Sequence, residues 1–223
     1  MAETESQKKQ AKIDKLVVGL GNPGDEYTRT RHNLGFRALD AFLQLLGVPK
    51  DFRPAMRSRV QVVCVDGKQV LLARPTTYMN LSGSAVAGLL GQTGLGTSDL
   101  LVVHDEMDLD CGRMKMRMGG GAAGHRGVGD VIEKCGEDFA RIKIGIGPPP
   151  EPFREDAAEW LLTPLDSQDG AVFEEMLPRV AQGIKRWIVD GTDKAMTWLN
   201  TDMNEPDEPP GSHSCAEGGG SDG

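Results

Sequence analysis

The sequence predicts an α/β fold: one domain built on a twisted, mixed β-sheet flanked by helices. Two short apolar runs, Leu16 to Val18 and Leu100 to Val103, read as buried strands that end in polar loops. Residues 59–65 and 69–74 are β-rich and joined through Asp66 and Gly67, which reads as an antiparallel hairpin and makes the sheet mixed. Apolar residues elsewhere fall at helical spacing. The 223 residues, 39% of them hydrophobic, suffice for one substantial core and leave no room for two large domains.

Taken in order, the first strand leads into Gly19, Leu20, Gly21, Asn22, Pro23 and Gly24, a tight loop, and then into Thr30, Arg31, His32 and Asn33. A helix starts near Asn33, with Leu39, Phe42, Leu43 and Leu46 on one stripe, and stops at Gly47. After the hairpin, Pro75 ends a strand and residues 76–80 form a loop, before Ser82 caps a helix of small residues reaching about Gln92. The strand at 100–103 delivers His104, Asp105, Glu106 and Asp108. From Arg113 to Met118 the chain alternates, with Met114, Met116 and Met118 facing the core and Arg113, Lys115 and Arg117 making a cationic face. A glycine-rich loop then carries His125 and Arg126 into a short helix. Ile142, Ile144 and Ile146 next alternate with Arg141 and Lys143, charges whose plainer reading is solvated surface. Three prolines, 148–150, break the chain ahead of a long amphipathic helix over 167–189 and a short one over 195–199.

Three regions result: a flexible extension over 1–13, a single folded domain over 14–200 and a disordered acidic, glycine-rich tail over 201–223. The formal charge of −8 argues against a nucleic-acid partner only superficially. The tail alone holds Asp202, Glu205, Asp207, Glu208, Glu217 and Asp222 with no Lys or Arg. Of 33 acidic residues these six leave 27 against 25 basic ones, so a basic face remains possible on the body. Four cysteines without paired spacing, no secretory signal and no long apolar run predict a cytoplasmic protein that does not span a membrane.

The glycine loop satisfies G-x-G-x-x-G, yet Pro23 and eight further residues separate it from the helix that a dinucleotide site would open at that point. His32 stands at a helix start beside this loop, and Asp105 at another strand end is available to hold one of its ring nitrogens: a general-base arrangement. The plainer alternative for Asp105 is a turn residue. Metal-ligand spacing is absent, and so is a nucleophilic Ser or Cys motif.

GLGNPGDEY with TRHN, PTTYMNLSG, HDEMDL, GGGAAGH and RIKIGIG together resemble bacterial-type peptidyl-tRNA hydrolase over about 15–199. The resemblance implies hydrolysis of the ester joining a peptide to the 3′-terminal ribose of tRNA, with no metal or cofactor, by a monomer that meets the 3′ end and acceptor stem of peptidyl-tRNA. It implies His32 as general base and Asp105 as its orienting carboxylate, with Asn22 and Asn80 as substrate-positioning amides. Tyr27 and Tyr78 would line the tRNA-end side of the cleft with Met79 beneath them, and Arg117 and Lys143 would form a basic pair gripping phosphate. One departure stands out: Arg126 occupies the place of an asparagine, and Ala122 and Ala123 replace a more glycine-rich pattern. A guanidinium there is suited to phosphate. A non-hydrolytic RNA-binding relative of the same fold is the competing reading.

Overall fold

The computed structural model describes residues 12–201. Seven strands form one sheet in the order β2-β3-β4-β1-β5-β7-β6. Its parallel centre is β4 (Lys68–Pro75), β1 (Lys15–Gly19), β5 (Leu100–Glu106) and β7 (Ala140–Gly145), and antiparallel strands extend it at both edges. These are β3 (Ser58–Val65) and β2 (Arg53–Ala55) on one side and β6 (Met114–Met118) on the other. The carboxyl ends of the parallel strands therefore share one side of the sheet, where open α/β folds place their ligands.

Strand alternation divides the core. Val17, Leu101, Val103, Ile142 and Ile144 pack against α1 (Leu34–Leu45), α5 (Ser167–Asp190) and α6 (Thr192–Asn200). Leu16, Val18, Leu100 and Val102 face α2 (Ser82–Thr93) and α3 (Arg126–Cys135). Both faces are covered, which is why the central strands read as continuous apolar runs.

Several elements differ from expectation. β5 continues past Val103 through His104, Asp105 and Glu106, all buried, so Asp105 is a strand residue and not part of a turn. Its extra length is paired residue by residue with β7, ending at Glu106 opposite Gly145. Ser82 is the first helical residue of α2 and not its cap; its Oγ donates to the Met79 carbonyl. Met118 is 41% exposed, because β6 is an edge strand that ends there. β2 and the six-residue helix α4 (Ala157–Leu162) were not anticipated: both are too short to show a period. Of the extension at 1–13, only Lys12 and Ile13 are described, and Ile13 packs on the α2 side of the core. The tail beyond Thr201 lies outside the described residues.

One contact sets the distance from α1 to the sheet, and hence where His32 stands. A Cβ at Gly35 would lie 2.4 Å from both the Leu20 nitrogen and the Val103 oxygen, and one at Gly19 would lie 2.2 Å from the Gly35 oxygen. Backbone atoms cannot step aside as a side chain can. Gly35→Ala should therefore lower stability by at least the ~1–3 kcal/mol usual for overpacking, read as a reduced denaturant midpoint. A parent-like midpoint would mean that α1 shifts freely.

Candidate active site

His32 lies in a single 3-10 turn, Arg31–Asn33, directly ahead of α1, and all three side chains are buried. Its neighbours anchor it from both sides. Arg31 forms an ion pair with Asp169 at the start of α5, donates to Thr163 Oγ1 at 3.3 Å and lies 4.6 Å from the centre of the Trp160 ring. Asn33 accepts the Asn22 amide through Oδ1 at 2.8 Å and returns a bond from Nδ2 to the Asn22 carbonyl at 3.0 Å. That reciprocal pair ties the glycine loop to the turn. Asn22 Oδ1 in turn accepts the Met79 amide at 2.9 Å, which leaves the Asn22 NH₂ group for a ligand.

Asp105 is clamped by two imidazoles. Nδ1 of His32 lies 3.1 and 3.0 Å from its two carboxylate oxygens, and Nε2 of His125 lies 3.0 Å from Oδ1. The tautomers follow from the partners. Val128 N–H donates to His125 Nδ1 at 3.2 Å, so the proton of a neutral ring sits on Nε2 and points at Asp105. His32 likewise donates from Nδ1, and its Nε2 keeps a free lone pair. Burial alone would push the Asp105 carboxyl up, but the two imidazoles outweigh it and hold the group well below the ordinary carboxylate range. An ionised carboxylate behind a neutral imidazole is the electrostatic condition for a general base.

His32, Asp105 and His125 also form a group whose donor atoms lie within 4.8 Å of one another, close enough to suit a metal ion. The tautomers fit hydrogen bonding better. A metal on His125 Nε2 would move the ring proton to Nδ1, against the Val128 amide that donates there.

A cavity of about 380 Å³ opens over this group. Asn22, His32, Asp105, Tyr78, Met79, Asn80 and Arg126 all line it, with the apolar face of α4 opposite. Tyr78 is 64% exposed at the surface, whereas Met79 is buried with its sulfur against Gly127. Arg126, the first residue of α3, is exposed at the rim. Tyr27, Arg117 and Lys143 are not among the lining residues. Arg117 is exposed on β6, while Lys143 is half-buried and paired with Glu106 at 2.6 Å. Arg141, whose plainer reading was solvated surface, is 1% exposed.

His104 sits on the opposite face of β5 from Asp105. Its Nδ1 donates to the Asp105 carbonyl at 2.7 Å, its ring meets His125 edge-on at 4.8 Å, and its Nε2 has no hydrogen-bond partner among the described residues. Burial, reinforced by His125, pushes its pKa down from 6.5 to about 3. Below pH 6.5 the unfolded chain thus takes up a proton that the folded chain refuses. Folding should lose ~1.4 kcal/mol per pH unit through this window, an effect absent above it. His104→Gln, which cannot titrate, should flatten the slope in urea unfolding followed from neutral pH to about pH 4. Equal slopes in parent and variant would refute the assignment.

Sequence reasoning did not find two residues of this site, His125 and Asn33. Both lie next to residues it named and inside motifs it quoted, Asn33 in TRHN and His125 in GGGAAGH, but it gave neither a role.

The family model for peptidyl-tRNA hydrolase matches residues 16–207 of this chain. A peptidyl-tRNA hydrolase of Aquifex aeolicus is 40% identical over 187 residues, which cover 83% of this chain and 96% of the relative. One from Maridesulfovibrio salexigens is 41% identical over 204 residues, covering 87% and 96% respectively. Among solved structures, that of peptidyl-tRNA hydrolase from Acinetobacter baumannii superposes with a TM-score of 0.78 at 30% identity, over 85% of this chain and 96% of the other.

Proposed function

Because the chain belongs to the peptidyl-tRNA hydrolase family and hydrolyses peptidyl-tRNA, we propose that the reaction runs in the cavity over Asp105 with His32 as general base. The observation that carries this reading is the free Nε2 of a ring whose Nδ1 is held by an ionised carboxylate. Nε2 takes a proton from water as the water oxygen bonds to the ester carbonyl carbon. Asp105 stabilises the imidazolium so formed. When the tetrahedral intermediate collapses, the bond to the ribose 3′ oxygen breaks and the same proton passes to that oxygen. Peptide acid and intact tRNA leave, with no proton gained or lost by the enzyme. The NH₂ group of Asn22 is placed to hold the substrate carbonyl, and Asn80 supplies a second amide at the cavity wall.

The tRNA end lies toward α3 and β6, with Tyr78 as a stacking face and Arg126 at the terminal phosphodiester. Arg117 meets the acceptor stem, and Lys143 joins it by exchanging Glu106 for phosphate. Tyr27, which does not line the cavity, is assigned with Tyr78 to the tRNA-end side. We assign the enzyme to the cytoplasm as a monomer. Among the described residues, no helix is long and apolar enough to cross a membrane.

The test is a comparison of N-acetyl-aminoacyl-tRNA, unblocked aminoacyl-tRNA and a short peptidyl ester lacking the tRNA body. The first should be cleaved and the second spared. Arg117→Ala should weaken only tRNA substrates and flatten their salt dependence by about one counterion. RNA binding without cleavage would favour the non-hydrolytic reading, and equal damage to tRNA and short-ester substrates would make Arg117 structural.

A further inference from the structure

Arg141 lies on β7 opposite Arg117 of β6 and Val102 of β5, fully buried. Burying a guanidinium costs several kcal/mol unless it is well compensated, and here its hydrogen bonds among the described residues go to backbone carbonyls. Nη1 donates to the Gly121 carbonyl at 2.7 Å, while Nη2 donates to the Gly120 carbonyl and, at 3.4 Å, to that of Glu137. The group lies 4.4 Å from the Phe139 ring centre, and its Nε has no hydrogen-bond partner among the described residues. Of these three bonds, two are spent on the loop between β6 and α3.

That loop has no regular structure of its own. Gly119, Gly120, Gly121 and Gly124 supply four glycines, residues that leave an unconstrained loop many backbone paths. Because each peptide unit is planar and trans, fixing the Gly120 and Gly121 carbonyls toward Arg141 also fixes the amides of Gly121 and Ala122 away from it. Directly beyond, the His125 amide closes a turn onto the Ala122 carbonyl at 2.9 Å, and the His125 ring reaches Asp105.

We propose that Arg141 is a positioning residue for the hydrolysis: it sets the glycine loop so that His125 delivers the second N–H to Asp105. The inference rests on the Asp105–His32 reading above. Arg141→Met should reduce kcat by ~10²-fold, as misplacement of about 1 Å does, with KM for the tRNA substrate little changed. On a His125→Ala background the same substitution should add almost nothing, because the path is already cut. In proton NMR of the folded Arg141→Met enzyme, the hydrogen-bonded Nε2–H signal of His125 should be lost. If the methionine variant does not fold, Arg141→Lys carries the test, since one ammonium cannot reproduce the planar fork. Added guanidinium at sub-denaturing concentration should restore part of the activity of Arg141→Ala. Losses that multiply with His125→Ala, or parent-like kcat in a folded Arg141 variant, overturn the proposal. The NMR signal separates the two readings: it reports the Arg141–His125 link even if His32→Ala proves active and the base assignment fails.

Discussion

His32→Ala should lower kcat for peptidyl-tRNA by ~10²–10⁴, the usual worth of a positioned general base, with affinity for uncleaved tRNA close to that of the parent. The split follows from what each part of the site touches. His32 lines the cavity and, as the proposed base, would act on the water there, whereas the exposed cations Arg117 and Arg126 lie on β6 and at the start of α3. The phosphate contacts proposed there would supply affinity without involving the imidazole. The fold should tolerate the change, because Arg31 and Asn33 anchor the turn independently of the ring. Stopped-quench turnover and binding of deacylated tRNA, measured on the same preparation, check both halves. Turnover within about an order of magnitude of the parent would remove His32 from the mechanism.

Much of this site was legible in the sequence, for a physical reason. Strand ends in an α/β sheet converge, so His32 after β1 and Asp105 at the end of β5 could be placed together from the order of apolar runs and loops alone. Less legible was anything decided by a single backbone group. His125 points inward because the Val128 amide takes its Nδ1, and no periodicity records such a bond. Arg141 alternates with isoleucines just as Lys143 does, but only Arg141 is closed over by the glycine loop and Phe139. Pattern reports which face of a strand a residue occupies, and on this face it could not distinguish a solvated charge from one that holds a loop. The short α4 that walls the cavity was hidden behind three prolines for the complementary reason: six residues give no period to read.

Asp105→Asn should be nearly as damaging as loss of the base, although it removes no atom from His32. Two imidazole N–H groups converge on this side chain, and a carboxylate can accept from both. A carboxamide has one acceptor oxygen and one donor NH₂, so one of the rings must change its tautomer. His125 resists, because a proton on its Nδ1 would face the Val128 amide. His32 has no such constraint: its proton moves to Nε2, where water must be deprotonated, and the lone pair needed for catalysis turns toward the amide instead. The comparable change in a serine-protease triad costs about 10⁴ in kcat, and a loss of that order is expected here, with KM preserved. Stability should fall too at neutral pH, and its slope against pH should change only in acid. The Asp105 carboxyl is held below its ordinary value of 3.8. Its contribution is therefore present above that pH and lost as pH falls through the depressed value, a loss that the variant cannot show. Nitrogen-15 NMR of the imidazoles reads the tautomer directly. A variant in which His32 still carries its proton on Nδ1, or whose kcat stays within about threefold of the parent, would show that the carboxylate does not set the base.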